Sequence, residues 1–167
     1  AEAGTVTGVG ATAYEAFTVH AQLRPGMRVL VNGGAGGVGT WAVQVAKALG
    51  AEVSATSSGE KAGLLRELGV DHAIDYRAGD PFGSGRGSFD VVLNTVRGAE
   101  LGPMRALLGP SGVLVTVMGD PIQNVASGIR NAFSAQKTIA FTVQTSGAVL
   151  SGLADLIANG RARPVVE

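Results

Sequence analysis

Gly34, Gly36 and Gly39 stand at the spacing Gly-x-Gly-x-x-Gly, and Gly33, Gly36 and Gly39 form a second set in phase with it. Glycines spaced this way suit the turn that presents backbone to a dinucleotide. One allows the tight turn, one lets the backbone approach a pyrophosphate, and one lets a helix pack closely on a strand. The elements that must position them are legible on either side. Val29, Leu30 and Val31 read as a buried strand before the turn; Val38, Trp41, Ala42, Val45 and Leu49 form one face of a helix after it. Such a helix would aim its unsatisfied first-turn N–H groups and partial positive charge at the phosphates.

A second strand, Glu52 to Thr56, arrives within the same βαβ unit. In a dinucleotide fold, an acid about 20 residues past the glycines holds the ribose diol of NAD. Here that place reads Ser57-Ser58, with Lys61 shortly after. Hydroxyls and a cation suit a 2′-phosphate better than a diol, so the expected cofactor is NADP(H). Glu60 is expected to face solvent and the start of the next helix. The plainer alternative makes Ser57 a helix N-cap and Lys61 a solvated charge. The missing acid also argues against an S-adenosylmethionine site, and the lack of a Lys-Ser/Thr pair excludes a P-loop.

With 167 residues the chain fits one domain, and 46% hydrophobic residues suffice for a full core. Lysine plus arginine and aspartate plus glutamate both number 13, so nothing points to nucleic acid or an anionic membrane surface. The chain has no cysteine, which removes disulfides, thiolate nucleophiles and cysteine-held zinc. No apolar run approaches the roughly 20 residues of a membrane helix. A soluble, cytoplasmic protein is the expectation.

Helical and strand patterns alternate throughout. A lead-in helix is expected over Ala11 to Ala21, a first strand over Arg28 to Val31, and its helix over Gly37 to Leu49. Further helices are expected over Glu60 to Leu68, Glu100 to Leu108 and Gly147 to Asn159. Strands are expected over Ala73 to Asp75, Phe89 to Asn94, Val113 to Val117 and Thr138 to Val143. Gly79 to Ser88 reads as a surface loop, and Asn124 to Ser134 as a helix or a loop. This alternation predicts a doubly wound parallel α/β sheet of Rossmann type, in three αβα layers, as one domain over residues 1–167.

The order of segments resembles the nucleotide-binding domain of the medium-chain dehydrogenase/reductase superfamily, in particular its zinc-free quinone oxidoreductase-like branch. The resembling segments are Gly10 to Ala16, Leu23 to Val31, Gly33 to Gly39, Ala42 to Gly50 and Leu68 to Arg77. Asp90 to Val96 and Gly112 to Gly119 continue the match over nearly the whole chain. The resemblance implies that Gly36, Gly37 and Val38 cradle the pyrophosphate and that Ser57, Ser58, Lys61 and Tyr76 surround the 2′-phosphate. Asn94, Thr95 and Val96 would line the cofactor. Thr12, Met118, Gly119, Phe141 and Val143 would flank its nicotinamide half. The plainer readings make Tyr76 a strand-end tyrosine, Met118 and Phe141 core, and Thr12 a helix-start hydroxyl.

Two departures stand out. Relatives often carry Asp-x-Val-Gly-Gly after the fourth strand, where this chain has Asn94-Thr-Val-Arg97-Gly98. Asn94 is similar to the enoyl-reductase domains of polyketide and fatty acid synthases, and Arg97 replaces a glycine beside the cofactor. The family also has a GroES-like substrate domain, which this sequence lacks. The expected role is therefore the cofactor domain of an NADPH-dependent reductase of quinones, enones or enoyl thioesters, inactive without that partner domain. A non-catalytic NADPH-binding module or an oligomerisation module is the alternative. A homodimer along the sheet edge after Val113 to Val117 is expected by analogy. No metal ligands or catalytic residue can be assigned; His20, His72 and Tyr14 read as structural, and Asp71 and Asp75 as turn residues.

Overall fold

Alternation along three central strands sets the architecture. Val29 and Val31, Val91 and Leu93, and Val115 point into one core, whereas Leu30, Val92 and Leu114 point into another. A sheet apolar on both faces must be covered on both, as in doubly wound α/β proteins. The computed structural model describes residues 6–82, 85–117, 131, 134–144 and 146–165.

In chain order, helix α1 runs through Val6–Gly10, Ala11–Glu15 and Ala16–His20, its first and last parts π-wound. It is followed by β1 (Arg28–Asn32), α2 (Gly37–Ala48) and β2 (Glu52–Ser57). A 3₁₀ turn (Gly59–Lys61) leads into α3 (Ala62–Glu67) and then β3 (His72–Asp75). Next come β4 (Phe89–Asn94), α4 (Leu101–Ala106), β5 (Leu108–Val117), β6 (Lys137–Phe141) and α5 (Gly147–Ala158). The six strands lie in the order β3-β2-β1-β4-β5-β6, and each pairing is parallel. This is the expected Rossmann sheet, with its topological switch point between β1 and β4.

The larger core joins α1, α2, α3 and α5 to one face around the fully buried Phe17, Trp41, Leu65 and Leu153. The smaller one packs Met104, Leu107 and Phe82 against Leu30, Val92 and Leu114 on the other. Three layers follow from this division.

Several boundaries differ from expectation. The strand expected to start at Val113 begins at Leu108, because Gly109-Pro110-Ser111-Gly112 remains extended as an irregularity rather than turning. Phe89 pairs with Leu108 and Val91 with Val113, so β5 absorbs the extra residues between them. β6 stops at Phe141, leaving Val143 beyond it. Lys61 ends a 3₁₀ turn rather than sitting inside a helix. β6 pairs along Val113 to Val117, so the sheet edge after that stretch is β6 and β5 is an inner strand. The segment Asn124 to Ser134, expected as helix or loop, lies mostly outside the described residues.

Candidate functional site

Four buried polar side chains form a ladder across the carboxyl ends of β2, β1, β4 and β5. The Thr56 hydroxyl donates to Asn32 Oδ1 at 2.9 Å, Asn32 Nδ2 donates to Asn94 Oδ1 at 2.9 Å, and Asn94 Nδ2 donates to Thr116 Oγ1 at 3.2 Å. Strand pairing places Asn32 beside Asn94 and Asn94 beside Thr116, so register alone brings them together. Asn32, Asn94 and Thr116 follow, at strand alternation, the residues Leu30, Val92 and Leu114 that face the smaller core. Buried amides and hydroxyls are costly unless paired, and here each pairs with the next.

The ladder also holds the loops above it. Thr56 Oγ1 accepts the Gly33 N–H at 2.9 Å. Asn94 Oδ1 accepts the Val96 N–H at 3.1 Å, and Asn94 Nδ2 donates to the Val96 carbonyl at 3.0 Å. The Thr95 hydroxyl donates to the Asn32 carbonyl at 2.8 Å. Two loops at the switch point are thereby fixed to the sheet.

Within the glycine turn the residues have distinct duties. Gly33 has φ +85°, which favours glycine, and a Cβ there would lie 2.6 Å from Thr95 Oγ1. A Cβ on Gly39 would overlap the Gly33 carbonyl and lie 2.8 Å from the Gly34 backbone. Gly34 packs on Ala55, which a Cβ would approach to 2.7 Å. Gly36 differs: a Cβ there would meet only the Gly33 carbonyl, at 3.5 Å, an ordinary contact. Protein packing therefore requires Gly33, Gly34 and Gly39 but tolerates a Cβ at Gly36. Gly36 is also the N-cap of α2 and makes no side-chain cap, so the first N–H groups of a 12-residue helix lack a capping side chain. Backbone bare of side chains beside an uncapped helix start fits a bound pyrophosphate.

A cleft of about 910 Å³ opens at this point. Gly36, Ser57, Ser58, Lys61, Tyr76 and Val96, named from sequence, all line it. The Ser57 side chain is buried and donates to the Ser58 carbonyl at 3.0 Å; neither serine caps the following turn. Tyr76 is half-exposed, and its N–H is held by the Ser57 carbonyl at 3.1 Å. Sequence reasoning missed Asn32, Thr56 and Arg77, which also line the cleft, as do Phe82 and Met104. Polar residues at successive strand ends were the available signal for Asn32 and Thr56. Glu60, expected only to face solvent, is exposed and lines the cleft as well.

Other predicted residues lie elsewhere. Gly34, Gly37, Val38 and Gly39 belong to the glycine turn and the start of α2 around Gly36, and Asn94 and Thr95 to the hydrogen-bonded floor. The Thr12 hydroxyl donates to the Gly8 carbonyl at 2.8 Å within α1. Phe141 is buried, its ring 4.3 Å from that of His20, and Val143 packs against the same core. Met118 and Gly119 lie outside the described residues. Arg97 is exposed in the turn after β4 and is not part of the cleft wall. Among the described residues, no group of three His, Cys, Asp or Glu side chains could hold a metal. Among them too, no helix is long and apolar enough to cross a membrane.

Residues 37–159 match the family model described as zinc-binding dehydrogenase. The chain is 43% identical over 122 residues to mycoketide-CoA synthase of Mycobacterium tuberculosis, covering 69% of this chain and 3% of that protein. It is 32% identical to the mitochondrial NAD(P)H oxidoreductase RTN4IP1 of Danio rerio, covering 99% of this chain and 49% of that one. Among solved structures, the CurK enoyl reductase superposes with a TM-score of 0.81 at 28% identity, over 100% of this chain and 54% of the other. The chain thus spans about half or less of the length of each.

Proposed function

The chain belongs to the zinc-binding dehydrogenase family, within the medium-chain dehydrogenase/reductase superfamily, and on that premise we propose that it is the NADP(H)-binding part of a zinc-independent reductase. The observation that carries this reading is the cleft joining the glycine turn at Gly36 to Ser57, Ser58, Lys61 and Tyr76. β2 ends on Ser57, where a diol-binding acid would otherwise stand.

When bound, the nicotinamide cofactor supplies the hydride; the protein supplies binding and orientation. The N–H groups of Gly37 and Val38 hold the pyrophosphate at the start of α2. Ser57, Ser58 and Lys61 receive the 2′-phosphate beside the Tyr76 ring. Asn94 acts at one remove, as a positioning residue that fixes the Val96 backbone and with it one wall of the cleft. The hydride acceptor is an activated C=C bond, a quinone or an enone or enoyl thioester. It is recognised by a GroES-like domain outside these 167 residues. The enoyl reductase among the structural relatives supports the thioester end of that range.

Parallel titration with NADPH and NADH tests the reading, on the chain itself and on Ser57→Asp and Lys61→Ala. Tighter NADPH binding that weakens in both variants is expected. Equal binding of the two cofactors, or none, overturns the 2′-phosphate assignment.

A further inference from the structure

One wall of the cleft carries an ion pair. Glu60 and Lys61 come from the turn after β2, and Tyr76 and Arg77 follow β3, beside it in the sheet. Arg77 Nη1 stands 3.9 Å from Glu60 Oε1, and its guanidinium lies 5.7 Å from the centre of the Tyr76 ring. The Arg77 N–H donates to Asp75 Oδ1 at 2.9 Å, which fixes its backbone at the strand end. Both charged side chains are open to water, 61% exposed for Arg77 and 85% for Glu60.

Resting on the NADP(H) assignment above, we propose that Arg77 is a second cation for the 2′-phosphate and Glu60 its resident counter-anion, displaced when a phosphorylated ribose enters. A long, solvent-exposed pair of this kind is held weakly. A phosphate dianion offers more charge than a carboxylate and matches the planar guanidinium fork, so exchange favours the phosphate. The Tyr76 ring keeps the guanidinium in the cleft during the exchange. Glu60 therefore lowers NADPH affinity twice, by occupying Arg77 and by repelling the incoming phosphate. For NADH there is no phosphate to repel, and the Glu60 carboxylate accepts from the ribose hydroxyls instead. The same acid thus narrows the gap between the two cofactors.

A double-mutant cycle on Glu60→Gln and Arg77→Met, read by binding of NADPH and NADH and of 2′,5′-ADP and 5′-AMP, tests the exchange. Glu60→Gln is expected to tighten NADPH and 2′,5′-ADP by about threefold without tightening NADH or 5′-AMP. Arg77→Met should weaken the phosphorylated ligands by about tenfold or more, leave the others within about twofold, and shrink the gain from Glu60→Gln to the part that comes from phosphate repulsion alone. Arg77→Lys should fall between, since it keeps the charge and loses the fork.

If Lys61→Ala weakens NADPH while Glu60→Gln and Arg77→Met change nothing, the exchange is overturned and the NADP(H) assignment stands. Equal weakening of all four ligands by Arg77→Met makes its role structural and also overturns the exchange. A chain that binds NADPH and NADH equally, with no variant altering their ratio, overturns the assignment itself.

Discussion

The side-chain amides of Asn32 and Asn94 meet at 2.9 Å across β1 and β4, the strand pair at which the chain reverses its direction of winding. Each is the last residue of its strand. The crevice of a doubly wound sheet forms at this junction because the loops leaving the two strands part in opposite directions. In this chain the diverging loops are tied back to the sheet by the same amides that bridge the strands.

Asn94→Ala removes the acceptor for the Asn32 amide and for the Val96 N–H, together with the donor to Thr116 and Val96. Buried polar groups left without partners cost about 1–3 kcal/mol. Urea unfolding should show a loss of that order. Nucleotide affinity should also fall, through the displaced Val96 wall. An unchanged unfolding midpoint would mean that the ladder contributes no net stability.

Gly36→Ala and Gly39→Ala should separate ligand approach from packing. A methyl at Gly39 collides with backbone of the same turn, where no flexible side chain can yield. Severe destabilisation, on the order of 2–4 kcal/mol or a chain that does not fold, is expected. At Gly36 a methyl meets only an ordinary contact, so the melting temperature should change little while nucleotide binding drops. Thermal melting with and without NADPH distinguishes the two. Equal loss of stability in both variants would remove the assignment of Gly36 to the ligand.

The sheet was legible because its signals are local and repeated. Val29 to Val31 and Val91 to Leu93 read as buried strands, and alternation between the two cores divides each of them. The glycine turn was legible for the same reason: Gly33, Gly34 and Gly39 are fixed by contacts within one βαβ unit. Less was legible where contacts are distant. Arg77 reaches the cleft only because β3 pairs with β2, and nothing in its own neighbourhood marks it as facing Glu60. The start of β5 was obscured because Gly109-Pro110-Ser111-Gly112 carries turn chemistry yet remains in a strand paired with Phe89. Resemblance makes Asn94 a residue that lines the cofactor, whereas its contacts place it in the floor that holds Val96.

Gly63 and Gly152 should respond oppositely to alanine. Gly63 lies in α3 with nothing near the added methyl, and alanine there should stabilise the chain by about 0.5–1 kcal/mol through a stiffer unfolded state. Gly152 lies in α5 against the Tyr14 hydroxyl, which a Cβ would overlap, and the ring carbon bearing that hydroxyl would be 2.5 Å away. Alanine there should force α5 and α1 apart and lower the melting temperature. Stabilisation at both sites would mean that Tyr14 can swing clear and that its seat on Gly152 does not constrain the helix pair.

Asp71 gives the chain a specific sensitivity to acid. Burial pushes its carboxyl up, but four favourable influences together outweigh that and hold it below its ordinary value. They are the hydrogen bond from the Lys47 ammonium, the Val53 N–H, and the charges of Lys47 and His72. Lys47 Nζ lies 2.8 Å from Asp71 Oδ2, and the Val53 N–H reaches the same oxygen at 2.7 Å. Asp71 thus ties the last turn of α2 and the start of β2 to the turn before β3, rather than serving that turn alone. A carboxyl that is more acidic folded than unfolded adds stability above the unfolded value, about pH 3.9, and loses it as pH falls through the folded one. The gain is about 1 kcal/mol or less, since the pair is partly open to solvent. Asp71→Asn should therefore lower the unfolding free energy near pH 6 and converge with the parent chain as the pH falls below the titration. Urea midpoints across that range provide the check, and a constant difference at every pH would locate the effect of Asp71 in packing rather than in its charge.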